Sequence, residues 1–271
     1  MSIKQISYHT KDGKYSISGA RHVDTDFGNI AVHDSGGDSQ ALVLLHGWGV
    51  DSLINWGRVF EDLSNTYRVL AVDLPGHGAS TSKKSFEIKD AAAAIHEVLI
   101  QSDVKSPILC GYSLGGAVCQ ELRGACGARS VVYIATAARF STVANKPISA
   151  AGDLLRLSGA ILPSRVVEPK GDTNEKVHIA KVSSANPKVL GEALRSIAKH
   201  DARDLVSKEP GKSVCILTSE DHVVRLDLQE ELAELSKAET IVVKTGHDLC
   251  LKPRFKEALA EAINMSIYPS R

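Results

Sequence analysis

The chain is 271 residues long, with 43% hydrophobic and 24% charged residues, the ordinary balance of a globular protein with a sizeable core. Lys plus Arg and Asp plus Glu each number 32, so the formal net charge is zero and no long-range field draws in nucleic acid or an anionic membrane. The length exceeds the usual single-domain size but suits one α/β domain, and a small, largely uncharged molecule is the expected partner.

The opening stretch, "MSIKQISYHTKDGKYSISG", lacks a basic segment followed by an apolar one, so no secretory signal is expected. No window approaches the apolar length of a bilayer span. "SYHTKDGKYSISG" and "RHVDTDFGNIAVHDSGG" alternate polar and apolar residues around glycine turns and read as antiparallel strands at one sheet edge. From there near-continuous apolar runs alternate with helical ones. Strands are expected at Ala41–Gly47, Tyr67–Gly76, Pro107–Tyr112, Ser130–Thr136, Ser213–Ser219 and Thr240–Gly246. Runs of this kind suit strands covered on both faces, as in a parallel sheet. Helices are expected at Asn55–Leu63, Ile88–Ile100, Leu114–Cys126, Leu226–Leu235 and Arg254–Ile263. The charged stretch Thr81–Asp90 reads as a solvated helix entry. The strand–helix alternation predicts a doubly wound, mostly parallel α/β sheet.

Between residues 141 and 210 the alternation stops. Amphipathic helical stretches broken by Pro147, Pro163, Pro169 and Pro187 form either extra packing or a lid. Leu154, Leu155, Leu157, Ile161 and Leu162 make an apolar helix face that is core or the roof of a pocket. Arg156, Arg165, Lys176 and Lys181 read as solvent-facing. The expected organisation is therefore a core of residues 1–140 and 211–271 with an inserted helical segment at 141–210.

"ILCGYSLGGAVCQ" places Ser113 in a Gly-x-Ser-x-Gly turn between a buried strand and a helix. Such a turn holds the hydroxyl clear of the sheet, and its flanking glycines avoid Cβ collisions. The helix start supplies unpaired N–H groups, with Leu114 the natural donor to a developing oxyanion. A serine hydroxyl needs a base. Of ten histidines, His247 in "VVKTGHDLCLKP" is best placed, directly beyond the last strand. His46 and His77 lie in tight glycine loops and read as hydrogen-bonding props. The base needs an acid to fix its tautomer, and "ILTSEDHVV" offers Asp221, favoured, with Glu220 in reserve. "LLHGWGVDS" adds a His-Gly-x-Gly turn whose Trp48 N–H is the second oxyanion donor and whose indole lines the acyl pocket. The five cysteines (Cys110, Cys119, Cys126, Cys215 and Cys250) form no CxxC pair and read as reduced core thiols of a cytoplasmic protein, without a disulfide frame or zinc site.

Taken together, "HGWG", "DLPGHGAS", "GYSLGG", "SEDHVV" and "GHDLCLKPRF" resemble the α/β-hydrolase superfamily over nearly the whole chain, in the branch of small serine carboxylesterases that includes pimeloyl-ester esterases. The resemblance implies an eight-stranded, mostly parallel sheet, a helical cap inserted after the sixth strand, and a cofactor-free, metal-free triad of Ser113, Asp221 and His247. One departure is the acid loop, where a glycine near Thr218 or Ser219 is common and none is present. Ser113 sets the chain apart from dehalogenases and epoxide hydrolases of similar fold, which carry aspartate at that turn. The expected activity is hydrolysis of a small, mainly apolar ester or thioester by a monomer or small homo-oligomer. The other readings are a carbon–carbon bond hydrolase, a cofactor-free perhydrolase, or a ligand-binding receptor with slow hydrolysis.

Overall fold

A computed structural model of the chain describes residues 6–10, 13–140, 187–208 and 211–268. Strands β1 (Ile6–Thr10) and β2 (Gly13–Ile17) form a separate antiparallel hairpin. That corrects the expectation that this stretch lies in the sheet edge. The end of β2 is held by packing instead: Ile17 is buried among residues such as Trp56 and Phe60, and the Ser16 hydroxyl donates to Glu61 at 3.3 Å.

The main sheet has eight strands: β3 (Arg21–Thr25), β4 (Gly28–Asp34), β5 (Ala41–Leu45), β6 (Arg68–Val72), β7 (Ile108–Tyr112), β8 (Ser130–Ile134), β9 (Lys212–Thr218) and β10 (Glu239–Val243). Their spatial order is β10-β9-β8-β7-β5-β6-β4-β3. Only β4 runs against its neighbours, and β3–β4 is the antiparallel edge that the sequence announced. The α/β fold expected from the strand–helix alternation is therefore present.

The period-two geometry of a strand divides the core. In β5, Val43 and Leu45 point into the layer of α3 (Ile88–Gln101) and α4 (Leu114–Leu122). Leu42 and Leu44 point into the opposite layer, with α1 (Ser52–Trp56), α2 (Phe60–Ser64) and Phe255. Burying each such side chain stabilises the fold by about 1.5–3 kcal/mol. Strands β5, β7 and β8 are buried throughout, as their continuous apolar runs demand. Strand β10 departs from that expectation: it ends the sheet, and Val242 is 62% exposed.

The expected helix at Asn55–Leu63 is two short helices, α1 and α2. Gly57 caps the first, its N–H donating to the Leu53 carbonyl, before the chain turns into the second. The expected helix at Leu114–Cys126 ends at Leu122, ahead of a turn through Gly127, whose φ of +57° suits glycine. Of the segment 141–210, residues 141–186 lie outside the described residues, with Pro147, Pro163, Pro169, the leucine face and Arg156, Arg165, Lys176 and Lys181. Beyond them come α5 (Pro187–Lys199) and α6 (Arg203–Lys208), followed after β9 by α7 (Leu226–Leu235) and after β10 by α8 (Phe255–Ile267).

Helix α5 is fastened to the start of α3, which has no side-chain cap of its own. The Phe86 N–H donates to Glu192 Oε2 and the Ile88 N–H to Ser196 Oγ, both at 3.0 Å. Ser196 in turn donates to Glu87 Oε2 at 2.7 Å. Two side chains of one helix thus satisfy backbone donors at the head of another. All five cysteines are free thiols, and among the described residues no helix is long and apolar enough to cross a membrane.

Candidate active site

Strand β5 pairs β6 on one side and β7 on the other, so the chain reverses its direction of travel across the sheet at this point. Ligand crevices of open α/β sheets form beyond the carboxyl ends of strands at such a switch. Three loops meet there. Ser113 follows β7, Asp221 lies beyond β9 and His247 beyond β10.

The serine turn is tight because two backbones nearly touch. A Cβ on Gly111 would lie 2.5 Å from the Gly115 carbonyl oxygen, and one on Gly115 would run into the Leu45 carbonyl of β5. Ser113 itself takes φ +51° and ψ −113°, outside the ordinary left-handed region. Its carbonyl is anchored by the Thr136 hydroxyl at 2.8 Å and the Gly116 N–H at 2.9 Å. The side chain is left at the head of α4.

Ser113 Oγ lies 3.0 Å from His247 Nε2, and His247 Nδ1 lies 2.7 Å from Asp221 Oδ2. With a carboxylate on Nδ1–H, the Nε2 lone pair faces the serine hydroxyl. Asp221 is well supported: its Oδ1 accepts the Val223 and Val224 N–H groups at 2.8 and 2.9 Å, and its Oδ2 accepts the Thr218 hydroxyl at 2.8 Å. Thr218 is the last residue of β9, and Gln229 holds it in place by accepting its N–H at 3.0 Å. Burial pushes the Asp221 carboxyl up, but the His247 charge and N–H, the Val224 N–H and the Thr218 hydroxyl outweigh it, so it sits below the usual carboxylate range. Glu220 points elsewhere, toward Lys244 at 3.8 Å, with its side chain 55% exposed.

The Trp48 turn runs alongside. A Cβ on Gly47 would sit 3.6 Å from Ser113 Cβ, and the Gly47 N–H is held by Asn55 Oδ1 at 2.8 Å. Leu114 opens α4, so its N–H has no partner within the helix. The Trp48 indole, expected in the acyl pocket, donates to the Leu190 carbonyl of α5 at 2.9 Å. It ties this turn to α5.

His46 and His77 are both fully buried. His46 Nε2 accepts the Leu74 N–H at 2.9 Å, while His77 Nδ1 lies 3.2 Å from the Pro75 carbonyl. Burial lowers both imidazoles, His77 to about 3, so both are neutral near pH 7. Among the described residues no group of His, Cys, Asp or Glu side chains is arranged to hold a metal ion.

Sequence reasoning missed Asn55, Thr136, Thr218, Gln229 and Tyr112. Each carries a polar group and is buried, and a polar residue within or beside an apolar run is the signal that could have found Asn55, Tyr112, Thr136 and Thr218.

The alpha/beta hydrolase family profile matches residues 42–261. The chain belongs to the alpha/beta hydrolase family. Among curated relatives of this hydrolase is the pimeloyl-[acyl-carrier protein] methyl ester esterase of Aliivibrio salmonicida, 29% identical over 64% of this chain and 70% of that protein. Three further esterases of that name match over only 30–40% of their own length. The 2-succinyl-6-hydroxy-2,4-cyclohexadiene-1-carboxylate synthase of Escherichia coli O157:H7 is 40% identical over 32% of this chain and 35% of that protein. Among solved structures, a hydrolase from Pseudomonas aeruginosa PA01 superposes with a TM-score of 0.74 at 19% identity, covering 96% of this chain and 98% of that one. That likeness is one of fold.

Proposed function

We propose that the protein is a serine hydrolase that cleaves a small, mainly apolar carboxylic ester or thioester through an acyl-enzyme. One observation carries the reading: the hydrogen-bonded line from Asp221 through His247 to Ser113, which ends on a hydroxyl held at a strained turn. Ser113 Oγ attacks the carbonyl carbon as His247 Nε2 takes its proton, and Asp221 stabilises the imidazolium. The N–H groups of Trp48 and Leu114 receive the oxyanion, a contribution worth on the order of a hundredfold or more in rate for each donor. Collapse of the tetrahedral intermediate expels the alcohol or thiol, protonated by His247. Water, deprotonated by His247, then releases the acid and restores Ser113.

The ester class also draws on the curated relatives named above. In this reading residues 141–210 are a helical cap inserted after the sixth strand of the main sheet. The enzyme acts in the cytoplasm on a free small molecule, as a monomer or small homo-oligomer and without a cofactor. Ser113→Ala is expected to lower turnover of a nitrophenyl ester by about 10⁴-fold or more. A fluorophosphonate should label wild type at Ser113 with multiple turnover on esters. Activity retained in Ser113→Ala would refute the assignment, and stoichiometric labelling without turnover would favour the receptor reading.

A further inference from the structure

Tyr112 is the last residue of β7 and the immediate neighbour of Ser113, yet its ring lies in the opposite core layer, edge-on to Trp56 and Phe255. Its hydroxyl donates to the His247 carbonyl at 2.7 Å and accepts the Cys250 N–H at 3.4 Å. The ring also stands edge-on to the His247 imidazole, with centroids 5.8 Å apart. Burial pushes the phenol well above its ordinary pKa, so it stays a proton donor at any working pH.

The loop that carries His247 is also held by Arg58, which donates to the Leu251 carbonyl at 3.1 Å, and by the burial of Leu249 and Cys250. It leaves β10, which is laddered on one side only, and its backbone is joined to the acid loop by the Glu220 N–H at 2.9 Å from the Thr245 carbonyl. We infer that Tyr112 is a positioning residue: its hydroxyl locks the His247 loop to the serine turn and so preserves the approach of the base to the nucleophile. The inference rests on the proposed serine mechanism and adds a residue to it. An aromatic hydroxyl directly before the nucleophile sets base and nucleophile from a single side chain, so a shift in one is carried to the other. Misplacing a reacting group by about 1 Å is enough to lower a rate on the order of a hundredfold.

Tyr112→Phe keeps the ring and its packing and removes only the tie. It is expected to lower kcat by about 10–100-fold with KM changed less than about threefold. The low-field proton NMR signal of His247 Nδ1–H, expected to be sharp in wild type, should broaden or vanish. Ser130→Ala serves as control: it removes a buried hydroxyl pair of the same kind, Ser130 with Ser266 at 3.0 Å, at the far end of the sheet. Its kcat and its low-field signal should stay as in wild type. Wild-type kcat in Tyr112→Phe, or an equal loss in Ser130→Ala, overturns the inference. The serine mechanism stands or falls separately, on Ser113→Ala.

Discussion

Asp73 and Asp221 each lie just beyond a parallel strand, each accept two backbone N–H groups and each face a histidine. Asp73 takes the Ser52 and Ala79 N–H groups at 2.9 and 2.8 Å and lies 3.9 Å from His33 Nε2. Burial pushes the His33 imidazole down, but the Asp73 carboxylate outweighs that and raises it above its ordinary value. The pair is closed on all sides: the His33 side chain is 4% exposed, and its Nδ1 faces the Ser18 carbonyl at 2.6 Å. At Asp221 the imidazole is 20% exposed and its second nitrogen meets a hydroxyl. An aspartate–histidine pair by itself is therefore scaffold in this fold. A nucleophile on the far nitrogen and an opening to solvent separate the candidate site from its buried counterpart.

Breaking each pair by the same change should separate activity from stability. Asp221→Asn is expected to lower kcat by about 10⁴-fold in a chain whose circular dichroism matches wild type. Asp73→Asn should lower unfolding stability by about 3 kcal/mol or more in urea titration. The protein that remains folded should keep its turnover, normalised to fluorophosphonate-titrated sites, within about tenfold. The reverse pattern would contradict the comparison.

Acid should stress the Asp73 side through its neutral neighbours. His77 has a folded pKa lowered to about 3, so between pH 6.5 and that value the unfolded chain binds a proton that the folded one refuses. This contribution to stability is full above about pH 6.5 and is lost as pH falls, with a slope of about 1.4 kcal/mol per pH unit. In His77→Asn, urea midpoints taken from pH 6.5 to 4 should fall less steeply than in wild type. The smallest effect is expected at the neighbouring acid. Glu220→Gln should leave kcat/KM within about threefold, because that side chain faces Lys244 and solvent.

Much of this was legible in the sequence, for a physical reason. Runs such as "ALVLLHG" and "PILCGY" sit in strands buried on both faces, and the serine turn is local: glycine, strand end and helix start occupy a few consecutive residues. The choice between Asp221 and Glu220 was not legible. Two adjacent acids look alike until Thr218, Gln229 and Lys244 take up their places around them. Contacts across long sequence separation were equally hidden. Tyr112 meets its partner 135 residues away and Trp48 meets its own 142 residues away, and no spacing rule announces either. The break at Gly57 was missed because the apolar pattern continues across it into α2.

The backbone angles of Ser113 bear on how durable this protein can be. A non-glycine residue held at φ +51° and ψ −113° stores on the order of 1–3 kcal/mol, which the surrounding packing must outweigh. Glycine at that position would relax the turn, so Ser113→Gly, which removes the proposed nucleophile, is expected to unfold at a higher temperature than wild type. On the proposed mechanism, heat tolerance and turnover pull in opposite directions at this one residue.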